Sequence, residues 1–151
     1  LASAPALRAH CQIPCGIYGD MLRIQMLEEH VTTLEKSVQS IQALAGKTGA
    51  GELNQLVRWI DNKDRHADEM AEIVPAYFLQ QRVKAPAEDD ADAAAAYREQ
   101  LVVLHQVLVH AMKAKQSVDP AVVRDLGALV QRFADLYLGP EDREHLEKRH
   151  E

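Results

Sequence analysis

Apolar side chains recur every three or four residues along most of the chain after residue 18, which is the spacing of one face of an α-helix. The first run is followed by Gly46, Gly49 and Gly51, so a first helix is expected to end there. Its apolar face is predicted to consist of Ile24, Leu27, Val31, Leu34, Val38 and Ile41.

A second run keeps the same spacing but contains one charged member. Pro75 lies within it and is expected to kink or shorten the last turns, because proline lacks the amide hydrogen that an interior helical residue donates. Lys63 interrupts the apolar face, and a buried lysine needs a partner for its charge. The face is predicted to comprise Leu53, Leu56, Ile60, Lys63, Ala67, Met70, Val74 and Tyr77.

Two further helices are predicted after a polar loop at residues 82–91. Asp119 and Pro120 are typical of a helix start, with the aspartate as N-cap and the proline at the first helical position. Gly139 and Pro140 predict the end of the last helix. The two apolar faces are predicted to be Tyr97, Leu101, Leu104, Leu108 and Ala111, and then Val122, Leu126, Leu129, Phe133 and Leu136.

Four amphipathic helices with short connections favour an all-α fold, an antiparallel up-and-down four-helix bundle. The 151 residues are 47% hydrophobic and 26% charged, a balance that suits one globular domain. The net charge of −6 argues against nucleic acid or anionic lipid as a partner. The sequence contains no run of about 18 apolar residues, so no membrane span is predicted. Because the net charge is negative, any attraction of an anionic substrate must come from a local basic group.

The chemistry of the chain is concentrated in its N-terminal part. The two cysteines, Cys11 and Cys15, lie four residues apart, a spacing that is awkward for a zinc knuckle or a thioredoxin motif. With the imidazole of His10 and nearby backbone nitrogen, the two soft thiolates favour square-planar nickel or copper over tetrahedral zinc. Pro14 and Gly16 allow the segment to turn around one ion.

The segment from His10 to Tyr18 resembles the nickel superoxide dismutase family, whose signature is His-Cys-x-x-Pro-Cys-Gly-x-Tyr, and it matches every fixed position. The resemblance implies a four-helix bundle, a nickel ion and a homohexamer. It implies disproportionation of superoxide to dioxygen and hydrogen peroxide by Ni(II)/Ni(III) cycling, an antioxidant function. The chain is accordingly divided into a leader or propeptide remnant (1–9), a nickel-binding hook (10–18), the bundle (19–139) and a charged C-terminal tail (140–151).

The resemblance also implies the ligands and their neighbours. Nickel is expected on the sulfurs of Cys11 and Cys15, on the backbone nitrogen of Cys11, and on the amine and ring of His10. Tyr18 is expected at the edge of the site, where its phenol can hold a small anion or water. Gln25 and Lys63 are assigned as supports of the His10 ring, and Lys63 would also place a positive charge near the substrate.

The amine ligand exists only when His10 is the first residue, and nine residues precede it here. The chain is therefore expected to be a precursor, inactive until a maturation protease cuts between Ala9 and His10. Two free thiolates suit a reducing cytoplasm. A loose resemblance of Leu7-Arg8-Ala9 to a signal-peptidase site leaves the periplasm as the alternative.

A different class of function is also open: a non-catalytic helical bundle whose cysteine-bearing arm stores a metal or senses oxidation. An electron-spin signal of trivalent nickel together with consumption of superoxide would distinguish the enzyme from such a carrier. The remaining histidines of the helices are expected at helix surfaces or core edges rather than as metal ligands. They are His30, His66, His105 and His110.

Overall fold

The computed structural model describes residues 19–87 and 89–139. These residues form four α-helices and one π-helix, and no strand is found among them. Helix packing confirms the four-helix bundle. The elements are α1 (Asp20–Leu44), α2 (Ala50–Ile73), a π-helix (Val74–Arg82), α3 (Ala91–Gln116) and α4 (Pro120–Tyr137). The proposed leader, hook and charged tail lie outside the described residues.

Helix α1 follows its sequence pattern closely. All six predicted apolar positions, from Ile24 to Ile41, are buried, because their spacing places them on one stripe that faces the other helices. The chain leaves the helix through Gly46, whose φ of 79° lies in the left-handed region that glycine adopts without a steric penalty. The predicted end of the first helix is therefore confirmed.

The regular α-helix ends at Ile73, two residues before Pro75, so the expected interruption is found, but the chain does not leave the helical segment there. The backbone instead widens into the π-helix, which continues to Arg82. The amide of Val83 donates to the carbonyl of Phe78, five residues earlier, at 2.9 Å. A wider turn accommodates a residue that cannot donate an amide hydrogen bond. As a result, the predicted loop begins one residue later than expected.

The caps of the last two helices are side chains of aspartate. Asp90 accepts a hydrogen bond from the amide of Ala93, and Asp119 accepts one from Ala121, which confirms the predicted start of α4. The predicted apolar positions of both helices lie in the core or pack against it, and the fully buried side of each face is shifted by part of a turn. Buried residues are Val103, Leu104, Val107, Ala111 and Ala114 in α3, and Val123, Leu126, Val130, Phe133 and Ala134 in α4.

Each helix packs against the next one in the chain, and α4 returns to pack against α1. This arrangement is the expected up-and-down topology. Within the described residues, no helix combines the length and apolar character needed to cross a lipid bilayer.

The two ends of the bundle differ. At one end, which we call the closed end, four side chains join the start of α1 to the π-helix and α4. They are Asp20, Tyr77, Arg82 and Tyr137. At the other end, residues 50–60 of α2 continue past the end of α3, and we call this segment the overhang.

The overhang exposes apolar side chains that the sequence pattern assigned to the core. Leu53 is 46% exposed and Ile60 is 40% exposed, so their predicted burial is wrong for the single chain. Val57 lies between them on the helix and is 64% exposed. The apolar spacing continues through residues 50–60 of α2. Helix α3 ends at Gln116, however, and does not cover this part of α2.

Candidate metal centre

The residues predicted to bind nickel, His10, Cys11 and Cys15, lie outside the described residues, and so does Tyr18. Tyr18 is followed directly by Gly19, and α1 begins at Asp20. The hook therefore joins the bundle at its closed end. The side chains of that end are the first part of the protein scaffold that the hook meets along the chain.

Asp20 is the centre of the closed end. Its Oδ1 accepts a hydrogen bond from the Tyr77 hydroxyl at 2.6 Å, and its Oδ2 accepts from Arg82 at 2.5 Å and from the Tyr137 hydroxyl at 2.8 Å. The guanidinium of Arg23 lies over the ring of Tyr77, 5.2 Å from its centre. Three side chains from two other elements, the π-helix and α4, are thus held to the first residue of α1.

The network shifts the ionisation of its members. Burial opposes the charged form of Asp20, but hydrogen bonds from Arg82, Tyr77 and Tyr137 outweigh burial and lower its pKa below the ordinary value. Burial, together with the Asp20 carboxylate, raises the pKa of both Tyr77 and Tyr137 to about 12. Asp20 is therefore a carboxylate at neutral pH, and both tyrosines are protonated donors.

Lys63 lies midway along α2 and is only 2% exposed. Its Nζ donates to the carbonyls of Ala114 at 2.7 Å and Lys115 at 2.6 Å, and to Oδ1 of Asp64 at 2.9 Å. The two carbonyls belong to the last turn of α3, where a cation is favoured by the helix dipole and by unpaired carbonyls. These contacts account for the burial of the lysine without a substrate.

The structure does not bring Gln25 and Lys63 together. His30 of α1 contacts His66 of α2, and the two helices run in opposite directions. Gln25 lies five residues before His30, and Lys63 lies three residues before His66, so the two are about 12 Å apart along the bundle axis. Lys63 is about 20 Å along the axis from Asp20. Whether either residue faces His10 stays a prediction, since His10 is not described.

A second group of possible ligands was not anticipated from the sequence. Nδ1 of His30 lies 2.8 Å from Nδ1 of His66. Oε2 of Glu69 lies 3.5 Å from the first nitrogen and 3.7 Å from the second. Among the described residues, these three side chains are close enough to hold one metal ion. We call them the histidine cluster.

The histidine cluster lies at the edge of the core. His30 is 8% exposed, whereas Glu69 reaches solvent with its side chain 44% exposed. Burial and the neighbouring His66 lower the pKa of His30, so its imidazole is neutral at physiological pH. The expectation that His30 and His66 lie at core edges holds. Their proximity could not be read from the sequence, because 36 residues separate them.

A family model described as nickel-containing superoxide dismutase matches residues 5–140. That span includes the complete hook motif and all of the described helices. Searches of curated proteins and of solved structures found no match.

Proposed function

The chain belongs to the nickel-containing superoxide dismutase family, and we propose that its mature form disproportionates superoxide at a nickel ion held by the hook. Membership in the family implies superoxide as substrate and nickel as cofactor. The observation that carries the proposal is the complete hook motif within the matched span, with His10, Cys11, Cys15 and Tyr18 at their positions.

The donors of the hook fit nickel by their chemistry. Cys11 and Cys15 are the two cysteines of the chain, so they supply all the thiolates available. Thiolate sulfur combined with imidazole and backbone nitrogen suits a tetragonal d-block ion better than a hard cation. Cys11 and Cys15 would bind through sulfur and His10 through nitrogen.

A nickel ion held there would supply one-electron chemistry through its Ni(II) and Ni(III) states, by which one superoxide gives up an electron to become dioxygen and a second takes up that electron and two protons to become hydrogen peroxide. Tyr18 is proposed to hold a small anion or water at the edge of the site through its phenol. The contacts of Lys63 with the end of α3 favour a structural role for that residue, so Tyr18 is the better candidate for acting on substrate.

We further propose that activity requires cleavage between Ala9 and His10 by a maturation protease. In the chain as written, the nitrogen of His10 is a peptide amide, and only cleavage converts it into an amine that can bind the metal. The cytoplasm is the proposed compartment, because reducing conditions keep the two thiols of the hook free.

The test compares the full chain with a chain that starts at His10, both loaded with nickel. The shorter chain is expected to consume superoxide and to show the electron-spin signal of trivalent low-spin nickel with one axial nitrogen. A chain that starts at His10 and carries Cys15→Ser is the matched control and should show neither property. Equal activity in the full and shortened chains would refute the cleavage proposal. Nickel binding without turnover in the shortened chain would favour the metal-storing alternative.

We also propose that the protein assembles into a homohexamer. The overhang supports this proposal because Leu53, Val57 and Ile60 expose apolar surface on one helix. Trp59 lies beside them and is half-buried in the single chain. Packing between subunits would remove this surface from water, and it would shield the hook thiolates from oxidation if the hook lies at such a contact.

A further inference from the structure

The histidine cluster has a chemistry that the proposed superoxide reaction does not use. His30 comes from α1, whereas His66 and Glu69 come from adjacent turns of α2. Glu29 lies near enough to act electrostatically on His30 and adds a second negative charge to the neighbourhood. The cluster therefore combines two imidazoles with a net acidic surrounding, which attracts a cation.

The three donor atoms face one another closely enough to share one metal ion, which would spread the two Nδ1 atoms slightly from their hydrogen-bond distance. With separations of 2.8, 3.5 and 3.7 Å, they lie on a circle whose radius is about 2.0 Å, and zinc bonds to imidazole nitrogen and carboxylate oxygen measure about 2.0–2.2 Å. One ion near the centre of this circle would reach all three atoms at bonding distance. We propose that His30, His66 and Glu69 form a second metal site, which binds Zn²⁺ and links α1 to α2.

The donor types favour zinc over the hard cations. Two imidazoles and one carboxylate make a three-ligand zinc set, and water would take the fourth position. Calcium and magnesium prefer oxygen ligands, of which this cluster offers one residue. The exposed side of Glu69 gives the ion a route from solvent, since that side chain is 44% exposed.

Zinc would replace a hydrogen bond. At 2.8 Å, one of the two Nδ1 atoms must carry a proton that it donates to the other. Zinc takes the lone pairs of both Nδ1 atoms, so the donor ring must change tautomer, moving its hydrogen from Nδ1 to Nε2 through solvent exchange, and both rings then carry their hydrogen on Nε2. Within the described part of the chain, Nε2 of His30 is buried and has no hydrogen-bond partner. Zinc at Nδ1 leaves this Nε2 without a partner as well, so the proposal rests on the three facing donor atoms and not on Nε2.

The second site lies away from the closed end, where the hook joins the bundle. His30 lies ten residues after Asp20 on α1, which places it about 15 Å from the closed end along the helix axis. A zinc ion here would act as a clamp between two helices. The mature chain would then hold two metal ions of different kinds, nickel in the hook and zinc in the bundle.

The experiment uses the full chain with the hook ligands removed by His10→Gln, Cys11→Ser and Cys15→Ser. Titration with Zn²⁺ alone, followed by calorimetry and metal analysis, is expected to show one ion per chain and a rise in the melting temperature. Adding His66→Gln should weaken binding by at least about tenfold and abolish the rise in melting temperature. Adding His105→Gln, which changes an exposed histidine of α3, should leave both unchanged.

Glu69→Gln provides a second variant in which a half-exposed side chain is replaced with little risk to folding, and it should also weaken zinc binding. Far-ultraviolet circular dichroism without zinc checks that every variant is folded. Failure of the hook-free chain to bind zinc would overturn the proposal, as would binding that persists unchanged in both the His66→Gln and Glu69→Gln variants. Because the hook is inactivated throughout, these outcomes are independent of the superoxide reaction.

Discussion

The two ends of the bundle differ in how far their side chains are covered by neighbouring elements. At the closed end, the first residue of α1 is bound to the π-helix and to α4, and Phe78, Phe133 and Tyr137 pack ring against ring. At the other end, the overhang leaves Val57 64% exposed. The difference between the two ends shows that an apolar stripe in the sequence indicates which side chains of a helix can be buried. The length of the neighbouring helix decides how much of that stripe is covered.

Lys63 stands at the boundary between the two situations in α2. Before it, Leu53, Val57 and Ile60 are exposed, whereas after it Ala67 and Met70 are about 1% exposed or less. The ammonium group of Lys63 donates hydrogen bonds to the last carbonyls of α3. It therefore lies at the point where α3 ends and stops covering α2. The buried half belongs to the core of the single chain, and the exposed half is available to another subunit.

The largest expected loss of stability comes from truncating a side chain in the buried half of α2. Met70→Ala removes a side chain that is 0% exposed, and it should lower the free energy of unfolding by about 2–5 kcal/mol. The matched substitution in the overhang, Ile60→Ala, should cost no more than about 0.5 kcal/mol in the isolated subunit. Urea denaturation measures both values. Equal losses would show that the two halves of α2 are not different in burial.

Lys63→Met tests the boundary and should have an intermediate effect. It keeps the length of the side chain but leaves the carbonyls of Ala114 and Lys115 without their donor, which should cost about 1–3 kcal/mol of stability. Lys115→Met, which removes an exposed pairing with Asp68, is the control and should cost clearly less stability than Lys63→Met, because an exposed ion pair is screened by solvent.

The Lys63→Met variant also tests the predicted catalytic role. In chains that start at His10, superoxide turnover per folded molecule should be unchanged if the lysine acts only as a cap on α3. A fall in turnover per folded molecule would instead support a role for its charge near the substrate.

Asp20→Asn tests the closed end through its dependence on pH. The folded pKa of Asp20 is lowered, so its stabilising contribution is present above the unfolded pKa of about 3.9 and is lost as pH falls through the folded value. The parent should therefore lose more stability than the variant on acidification below about pH 4. Asp125→Asn, at an exposed site of α4, should follow the parent. Parallel acid profiles for the parent and Asp20→Asn would contradict this prediction.

The smallest effect on the stability of a subunit is expected from Val57→Asp in the overhang, within about 0.5 kcal/mol. Its effect on assembly should be large, because a carboxylate placed in an apolar contact loses its hydration. Light scattering should show smaller particles than for the parent. Val102→Asp, at a site of α3 that is 55% exposed, should leave the particle size unchanged. A parent protein that is monomeric would refute the homohexamer.

The local features of the fold could be predicted from neighbouring residues. The spacing from Ile24 to Ile41 predicted the buried face of α1, and Asp119-Pro120 predicted the start of α4, because caps and stripes depend on residues within a turn or two. Pro75 correctly marked the end of the regular α-helix, but the π-helix that follows could not be predicted, because the response of a helix to proline depends on whether its neighbours hold the chain in a widened turn. The predicted faces of α3 and α4 all lie in the core or against it, but which side of each face is fully buried depends on where two neighbouring helices meet.

The hook is the part of this protein that sequence alone determined. Its thiolates, imidazole and turn residues lie within nine consecutive positions, so the metal chemistry can be read from order along the chain. Tertiary structure alone decided the other features. It brought His30 beside His66, joined Asp20 to three distant side chains and buried Lys63 against the end of α3. The physical reason is that these contacts depend on helix lengths and on the register between antiparallel helices, which no short segment encodes.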